Sequence, residues 1–216
     1  MDWILFIAKG IGILAVSYLI GSIPFGFIIG KMHGIDIREH GSGNIGATNV
    51  TRVIGPWTGK LCFFLDFIKG ILPVYLTMML TGRGLIEDPC GMFPACASFA
   101  VVAGHIWPVY LKFKGGKGIS TAAGAILPLS PYAVLIAFAM WVIVFEASKY
   151  VSLASIVASI VLPVSALLLK LFHLSGASWP SIAFFFLLGI LAVLKHKSNI
   201  QRLLNGTENR FSGDKK

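Results

Sequence analysis

Long apolar runs alternate with short polar breaks along this chain. The runs cover Ile4–Ile29, Gly59–Thr81, Met92–Tyr110, Ile119–Phe145, Val151–Leu171 and Ala177–Leu194, each near or above the roughly 20 residues that carry a helix across about 30 Å of hydrocarbon. A chain of this pattern is predicted to be all-α and polytopic in a membrane, because only structures that pair their own backbone groups survive in lipid. The polar breaks must then hold any chemistry.

Six spans would be the simplest count, but the basic residues argue against it. Lys31, Arg38, Arg52 and Lys60 lie in the first break, and Lys112, Lys114 and Lys117 lie in the third. Lys195, Lys197, Arg202, Arg210, Lys215 and Lys216 fill the tail, whereas Gly82–Gly91 carries Arg83 against Glu87 and Asp88. Lys and Arg accumulate on the cytoplasmic side. The three basic segments therefore belong inside and the acidic break outside, which places the N-terminus outside. With six spans the basic tail would emerge on the wrong side. Folding the chain back at Pro128-Leu129-Ser130-Pro131 removes the conflict, since two prolines and a serine interrupt helix there. A short piece, Ile119–Leu127, and a full span, Tyr132–Phe145 with its flanks, result. The prediction is seven transmembrane helices with a short broken fourth helix and an inward C-terminus.

A helix of about 9 to 12 residues rises only about 14 to 18 Å, so it belongs inside the bundle, shielded from lipid. Gly116-Lys117-Gly118 at its start puts a lysine beside unpaired helix N–H groups, an arrangement that attracts anions. Trp57, Trp107, Tyr110, Tyr150 and Trp179 fall at predicted span ends, as amphipathic rings do at headgroup depth. Gly12, Gly21, Gly26 and Gly30 permit close helix contact. The opening run is too long and too interrupted for a cleaved signal peptide. No polar segment is long enough for a soluble domain, so residues 1–216 read as one domain.

Composition adds little to this and excludes much. The 216 residues are 56% hydrophobic, with 18 Lys and Arg against 9 Asp and Glu. The net charge of +9 follows from membrane orientation and contact with anionic lipid, and gives no reason to invoke nucleic acid. Cys62, Cys90 and Cys96 form no disulfide framework, and His33, His40 and His173 lack any metal-ligand spacing. No metal or cofactor is expected.

Three polar constellations remain. In the first break, glycines at 41, 43 and 46 hold Ser42, Asn44, Thr48, Asn49 and Arg52 close together; arginine suits a pair of phosphate oxygens. The same groups would also satisfy one another in a loop at headgroup level. The second, Lys112 to Thr121, resembles a phosphate cradle but lacks Walker A spacing. The third contains His196 and Asn199, three residues apart, which share a face if the last helix continues beyond the membrane. His196 is suited to moving a proton or capping the helix, and Asn199 to polarising a carbonyl or holding an oxyanion. Within the runs, Asp66 and Lys69 are spaced to pair, Ser152 and Ser155 to cap a helix or bond between helices, and His105 to support the interface. Neither a catalytic triad nor an activated cysteine is present, so a reactive substrate and oriented donors must do the chemistry.

Gly41-Ser42-Gly43-Asn44-Ile45-Gly46-Ala47-Thr48-Asn49, Gly104-His105-Ile106-Trp107-Pro108-Val109 with Gly115-Gly116-Lys117-Gly118, and His196-Lys197-Ser198-Asn199-Ile200 with Arg202 resemble the bacterial acyl-phosphate:glycerol-3-phosphate acyltransferase family. The resemblance runs through nearly the whole chain. It implies a seven-helix enzyme of the bacterial inner membrane that moves a fatty acyl group from acyl phosphate to the 1-hydroxyl of glycerol 3-phosphate, without metal or cofactor. Its partners would be those two substrates and membrane lipid. By the same resemblance Ser42, Arg52 and Lys117 match phosphate-binding positions, and Asn44, Thr48 and Asn49 the framework of the first loop. Ser155 matches a further polar contact, and His196 and Asn199 the pair that orients the reacting groups. The competing expectation is a transporter or flippase for a phosphorylated metabolite or lipid, because broken helices also bind anions in transporters.

Overall fold

The computed structural model describes residues 3–211 and is entirely helical apart from turns and loops. Its α-helices are α1 (Trp3–Ser22), α2 (Phe25–Met32), α3 (Ala47–Val53), α4 (Pro56–Gly82), α5 (Met92–Ile106), α6 (Ile119–Ile126), α7 (Pro131–Ser148), α8 (Val151–Leu171), α9 (Trp179–Lys195) and α10 (Lys197–Leu204). Among the described residues, five helical stretches are long and apolar enough to cross a membrane: α1 with α2, α4, α5 with the turn after it, α7 and α8. If α9 and α10, bent by 54° at the break between them, are counted as one span, the number by length and composition rises to six. The basic tail residues Lys215 and Lys216 lie outside the described residues.

The centre of the bundle is α5, which packs on α1, α4, α6 and α9. Val101, Val102 and Ile106 from α5 meet Ala125 and Ile126 from α6 and Phe185 and Leu188 from α9 in one buried cluster. A second cluster, built on Ile29, Ile37, Ile45, Val50 and Cys62, sits beneath the first polar loop. Leucine, isoleucine and phenylalanine side chains on α1, α4 and α7 remain exposed. In a membrane those faces meet lipid rather than water.

Several helix boundaries follow from local chemistry. The first apolar run is broken at Ile23 and Pro24, where proline lacks the N–H that would continue the ladder and its ring clashes with the preceding turn. The expected continuous span Ile4–Ile29 is thus two helices. Of its four glycines, Gly12 has open space around its Cβ direction, whereas a Cβ at Gly21 or Gly26 would run into the backbone of Val101 or Ile45. The helix starting at Ile119 stops at Ile126, and α7 opens with Pro131 at its first turn, a position that suits proline. At the bundle's ends, Lys60 lies over Trp57, Lys170 over Trp179 and Lys195 over Trp107, all within 5.0 Å of the ring centres, which gives each interfacial ring a cationic partner.

The short helix is seated by glycine on both sides. A Cβ at Gly124 of α6 would stand 2.1 Å from the Phe67 carbonyl oxygen, and one at Gly70 of α4 would stand 2.3 Å from that of Thr121. No side chain fits there, so backbone packs on backbone. Ser120 Oγ adds a 2.8 Å hydrogen bond donated to the Phe63 carbonyl. This fixes the start of α6, and with it Lys117, against α4.

Candidate functional site

One polar cavity of about 170 Å³ opens at the end of the bundle where α3, α6, α8 and α10 approach one another. The nine residues that the family resemblance matched to site positions all line it: Ser42, Asn44, Thr48, Asn49, Arg52, Lys117, Ser155, His196 and Asn199; Asp66, His105 and Ser152 line it too, whereas Lys69, Lys112 and Lys114 do not.

The first loop is built around Asn49, which is 1% exposed. Its Nδ2 donates to the carbonyls of Ile37 (3.1 Å) and His40 (3.0 Å), and its Oδ1 accepts the Ser42 N–H at 2.8 Å. Every hydrogen of that amide is therefore committed to backbone, so Asn49 holds the loop's shape and presents Ser42. Asn44 Oδ1 similarly accepts the Gly46 N–H at 2.8 Å just before α3. The sequence pattern did not anticipate that Ala47–Val53 would be a helix; it carries Arg52 in its last turn. Arg52 donates to the Asn209 carbonyl at 3.4 Å. Burial lowers its pKa, opposed by Glu208 and aided by Arg202.

Lys117 lies in the turn before α6. Its Nζ donates to Asn199 Oδ1 at 2.5 Å, which leaves two ammonium hydrogens for a ligand. Burial lowers its pKa to about 8, with Glu208 opposing and Arg202 and Arg52 adding to the effect. The first-turn N–H groups of α6, which the helix itself cannot pair, begin beside it at Gly118, Ile119 and Ser120, and those three residues also line the cavity.

The helix expected to carry His196 and Asn199 on one continuous face instead bends between α9 and α10, with His196 at the corner. His196 Nδ1 lies 2.7 Å from the Ala192 carbonyl oxygen. That oxygen can only accept, so Nδ1 carries the hydrogen and Nε2 keeps its lone pair. Burial and the neighbouring Lys117 charge push the His196 pKa down to about 4, against the Ala192 carbonyl and Glu208. The ring is neutral near pH 7. Asn199 is fixed by similar logic: Lys117 can only donate to its Oδ1, and Glu208 Oε1 accepts from its Nδ2 at 2.8 Å. One Nδ2 hydrogen remains uncommitted by this arrangement.

Glu208 is the residue that sequence reasoning missed. Its Oε1 also accepts from Ser152 Oγ at 2.9 Å, and its Oε2 from Arg202 Nε at 2.7 Å. Burial alone would raise its pKa, but hydrogen bonds from Asn199, Arg202 and Ser152 prevail and lower it. The available signal was that Glu208 is the only acidic residue in the basic stretch from Lys195 to Phe211. Ser155 caps nothing in α8; its Oγ accepts from Trp141 Nε1 at 3.2 Å and donates to the Val151 carbonyl. His105, expected at the interface, is 4% exposed inside α5, with Nδ1 3.5 Å from Asp66 Oδ1. Asp66 also pairs with Lys69 at 2.7 Å.

A second cavity, of about 430 Å³ and almost wholly apolar, runs between α6, α7, α8 and α9. Phe63, Ile119, Ser120 and Trp141 border both cavities. The site can thus take a molecule with an anionic head and an apolar tail lying between helices.

Comparison with known proteins agrees with this geometry. Residues 11–206 match the family model described as glycerol-3-phosphate acyltransferase. A glycerol-3-phosphate acyltransferase of Aquifex aeolicus is 43% identical, over 94% of this chain and 100% of that protein. One from Desulforamulus reducens is 46% identical, over 94% and 96%. Two crystal structures of PlsY, an integral membrane glycerol 3-phosphate acyltransferase, superpose with TM-scores of 0.83 for its glycerol 3-phosphate form and 0.80 for its lysophosphatidic acid form. Both are 39% identical and cover 94% of this chain and 96% of that one.

Proposed function

The chain belongs to the glycerol-3-phosphate acyltransferase family, and from that premise we propose that it transfers a fatty acyl group from acyl phosphate to the 1-hydroxyl of glycerol 3-phosphate, releasing lysophosphatidic acid and phosphate. The observation that carries this reading is the junction of a cationic cavity with an apolar groove across Phe63, Ile119, Ser120 and Trp141. An acyl phosphate lying in it has its chain among α6 to α9 and its carbonyl at the polar end.

In this reading Lys117, Arg52 and Ser42 bind phosphate, and the first turn of α6 adds N–H groups to the same charge. The hydroxyl oxygen of glycerol 3-phosphate attacks the acyl carbonyl carbon, the carbon–oxygen bond to phosphate breaks, and inorganic phosphate leaves. Acyl phosphate is already activated, so alignment and charge neutralisation supply most of the acceleration. Asn199 offers its remaining Nδ2 hydrogen to the oxyanion. His196 Nε2 accepts a hydrogen bond from the attacking hydroxyl and orients it. A ring with a pKa of about 4 is a weaker base than a phosphate monoester, whose second pKa is about 6. The proton therefore passes to a substrate phosphate. Asn44, Thr48 and Asn49 hold the first loop, and Ser155 holds Trp141 at the border of the two cavities.

We assign residues 1–216 to a single integral domain of the bacterial inner membrane, crossing seven times, with α6 as the short fourth crossing, the N-terminus outside and the C-terminus inside. The basic breaks then share the cytoplasmic face with the cavity. A transporter would need polar groups leading toward the opposite face, and the residues that line this cavity gather at one end of the bundle.

Purified protein in detergent should convert acyl phosphate and glycerol 3-phosphate to lysophosphatidic acid; failure to form it would remove the proposal. In the free enzyme Lys117 is charged below its pKa of about 8 and neutral above it. Accordingly kcat/KM for glycerol 3-phosphate should fall as pH rises through 8. The acid limb, near pH 6 by the substrate's own ionisation, should survive His196→Gln; its disappearance would assign the base to His196.

A further inference from the structure

We infer that His105 is a positioning residue for Lys117: its ring, beside Asp66, forms the seat on which the Gly115–Gly118 turn rests. The inference rests on reading the polar cavity as the glycerol 3-phosphate site. The proposed reaction gives no role to Asp66, Lys69 or His105, yet these three ionisable side chains are 3%, 4% and 4% exposed, with Asp66 and His105 in the wall of the polar cavity. Burying such groups is costly unless each is partnered. Lys69 has a task of its own, because its Nζ donates at 2.7 Å to the Ile23 carbonyl at the break between α1 and α2. Asp66 Oδ1 lies 2.7 Å from Lys69 Nζ and 3.5 Å from His105 Nδ1, close enough to the imidazole for electrostatic contact but without a hydrogen bond to it.

The other edge of the imidazole meets the loop. A Cβ on Gly116 would lie 2.1 Å from His105 Nε2 and within 3.1 Å of Cε1 and Cδ2. The Gly116 backbone therefore rests directly on the ring. Gly116 N–H also donates to the His105 carbonyl at 3.1 Å, and a Cβ on Gly115 would stand 2.1 Å from that same oxygen. Both glycines are needed because His105 occupies the space that any side chain would enter. His105 also borders the polar cavity, and its Nε2 edge lies against Gly116. Its effect passes through the next residue, Lys117, whose Nζ is directed to Asn199. A shift of the turn would move that ammonium relative to the phosphate, and misplacement by about 1 Å is enough to cost on the order of a hundredfold in rate.

His105→Asn keeps a polar group near Asp66 but removes the half of the ring beneath Gly116. With purified full-length protein, it should raise KM for glycerol 3-phosphate about tenfold or more while leaving KM for acyl phosphate within about twofold. Placed in a Lys117→Ala background, it should change KM for glycerol 3-phosphate by less than about twofold, because the two act on one interaction. Should His105→Asn fail to fold in detergent, Gly116→Ala disturbs the same contact from the loop and should give the same selective rise. Equal losses for both substrates, or additive effects with Lys117→Ala, would overturn the inference. The unsubstituted enzyme is the control: its failure to make lysophosphatidic acid would refute the site reading itself, whereas an active enzyme with an unselective variant refutes only the role of His105.

Discussion

Replacing Lys117 with alanine should lower kcat/KM for glycerol 3-phosphate by about 10² to 10³, while thermal stability in detergent changes little. Lys117 is partly buried, and among the described residues its side-chain hydrogen bond goes to Asn199. A phosphate dianion entering the cavity sheds water and needs fixed positive charge in return. Arg52 and Arg202 also line the cavity, but Arg202 is held by Glu208 and Arg52 reaches toward Asn209. Arg52 shares the phosphate in this reading, but neither guanidinium supplies the compact ammonium that Lys117 places beside the first turn of α6. Removing the lysine also deletes an ammonium whose own burial is unfavourable, so the fold has little to lose. Lys117→Arg keeps the charge but replaces a compact ammonium with a planar fork, and should recover no more than about tenfold. Steady-state kinetics with each substrate varied in turn, beside a melting curve, checks the result. Full activity in Lys117→Ala would move the phosphate site elsewhere.

Glu208→Ala should do the reverse, destabilising the protein and reducing activity toward both substrates together. The carboxylate is 8% exposed and accepts hydrogen bonds from Ser152, Asn199 and Arg202. Removing one partner of such a group leaves the others unpaired, at a cost of about 3 kcal/mol, reduced here because Arg202 retains some contact with solvent. The chain around Glu208 also straps the helix ends together. Phe211 N–H donates to the Lys149 carbonyl at 2.8 Å, Arg210 Nε to the Tyr150 hydroxyl at 3.0 Å, and Arg52 to the Asn209 carbonyl. Loosening this strap releases Asn199 and hence both reacting centres. Glu208→Gln keeps the size and one acceptor, so it should fall between the wild type and Glu208→Ala in melting temperature. A Glu208→Ala protein as stable as the wild type would show that the strap does not hold α8 to α10.

The contrast between these two residues shows which parts of the site were legible. Lys117 sits between glycines in a basic break, and its chemistry is written in its neighbours. Glu208 lies beyond the last motif, and nothing within a few residues reveals that its carboxylate is the hub for Ser152, 56 positions away. His105 was recognisable as part of a motif, but its burial against Asp66 depends on how α4 and α5 pack. Asn49 read as a donor among donors; only the three backbone groups around its amide identify it as the loop's internal brace. The helix α3 escaped notice because seven residues carry too few turns for periodicity to register. The bend at His196 escaped as well, since no proline or glycine marks it.

Some properties needed nothing beyond the order of the amino acids. Uninterrupted apolar runs of about 20 residues become helices in a membrane, because a helix pairs the backbone within the run itself, whereas barrel strands are shorter and alternate in polarity. Proline at 24 and at 128 and 131 marks where the helices are interrupted, although Pro73 and Pro163 lie within the unbroken helices α4 and α8. Tertiary structure alone decided that residues 42 to 52, Lys117, Ser155 and the segment from His196 to Glu208 close around one cavity, and that an apolar groove adjoins it. Those contacts join positions up to about 160 residues apart. They are selected by which helix faces interlock, and a pattern with a period of a few residues carries no record of that choice.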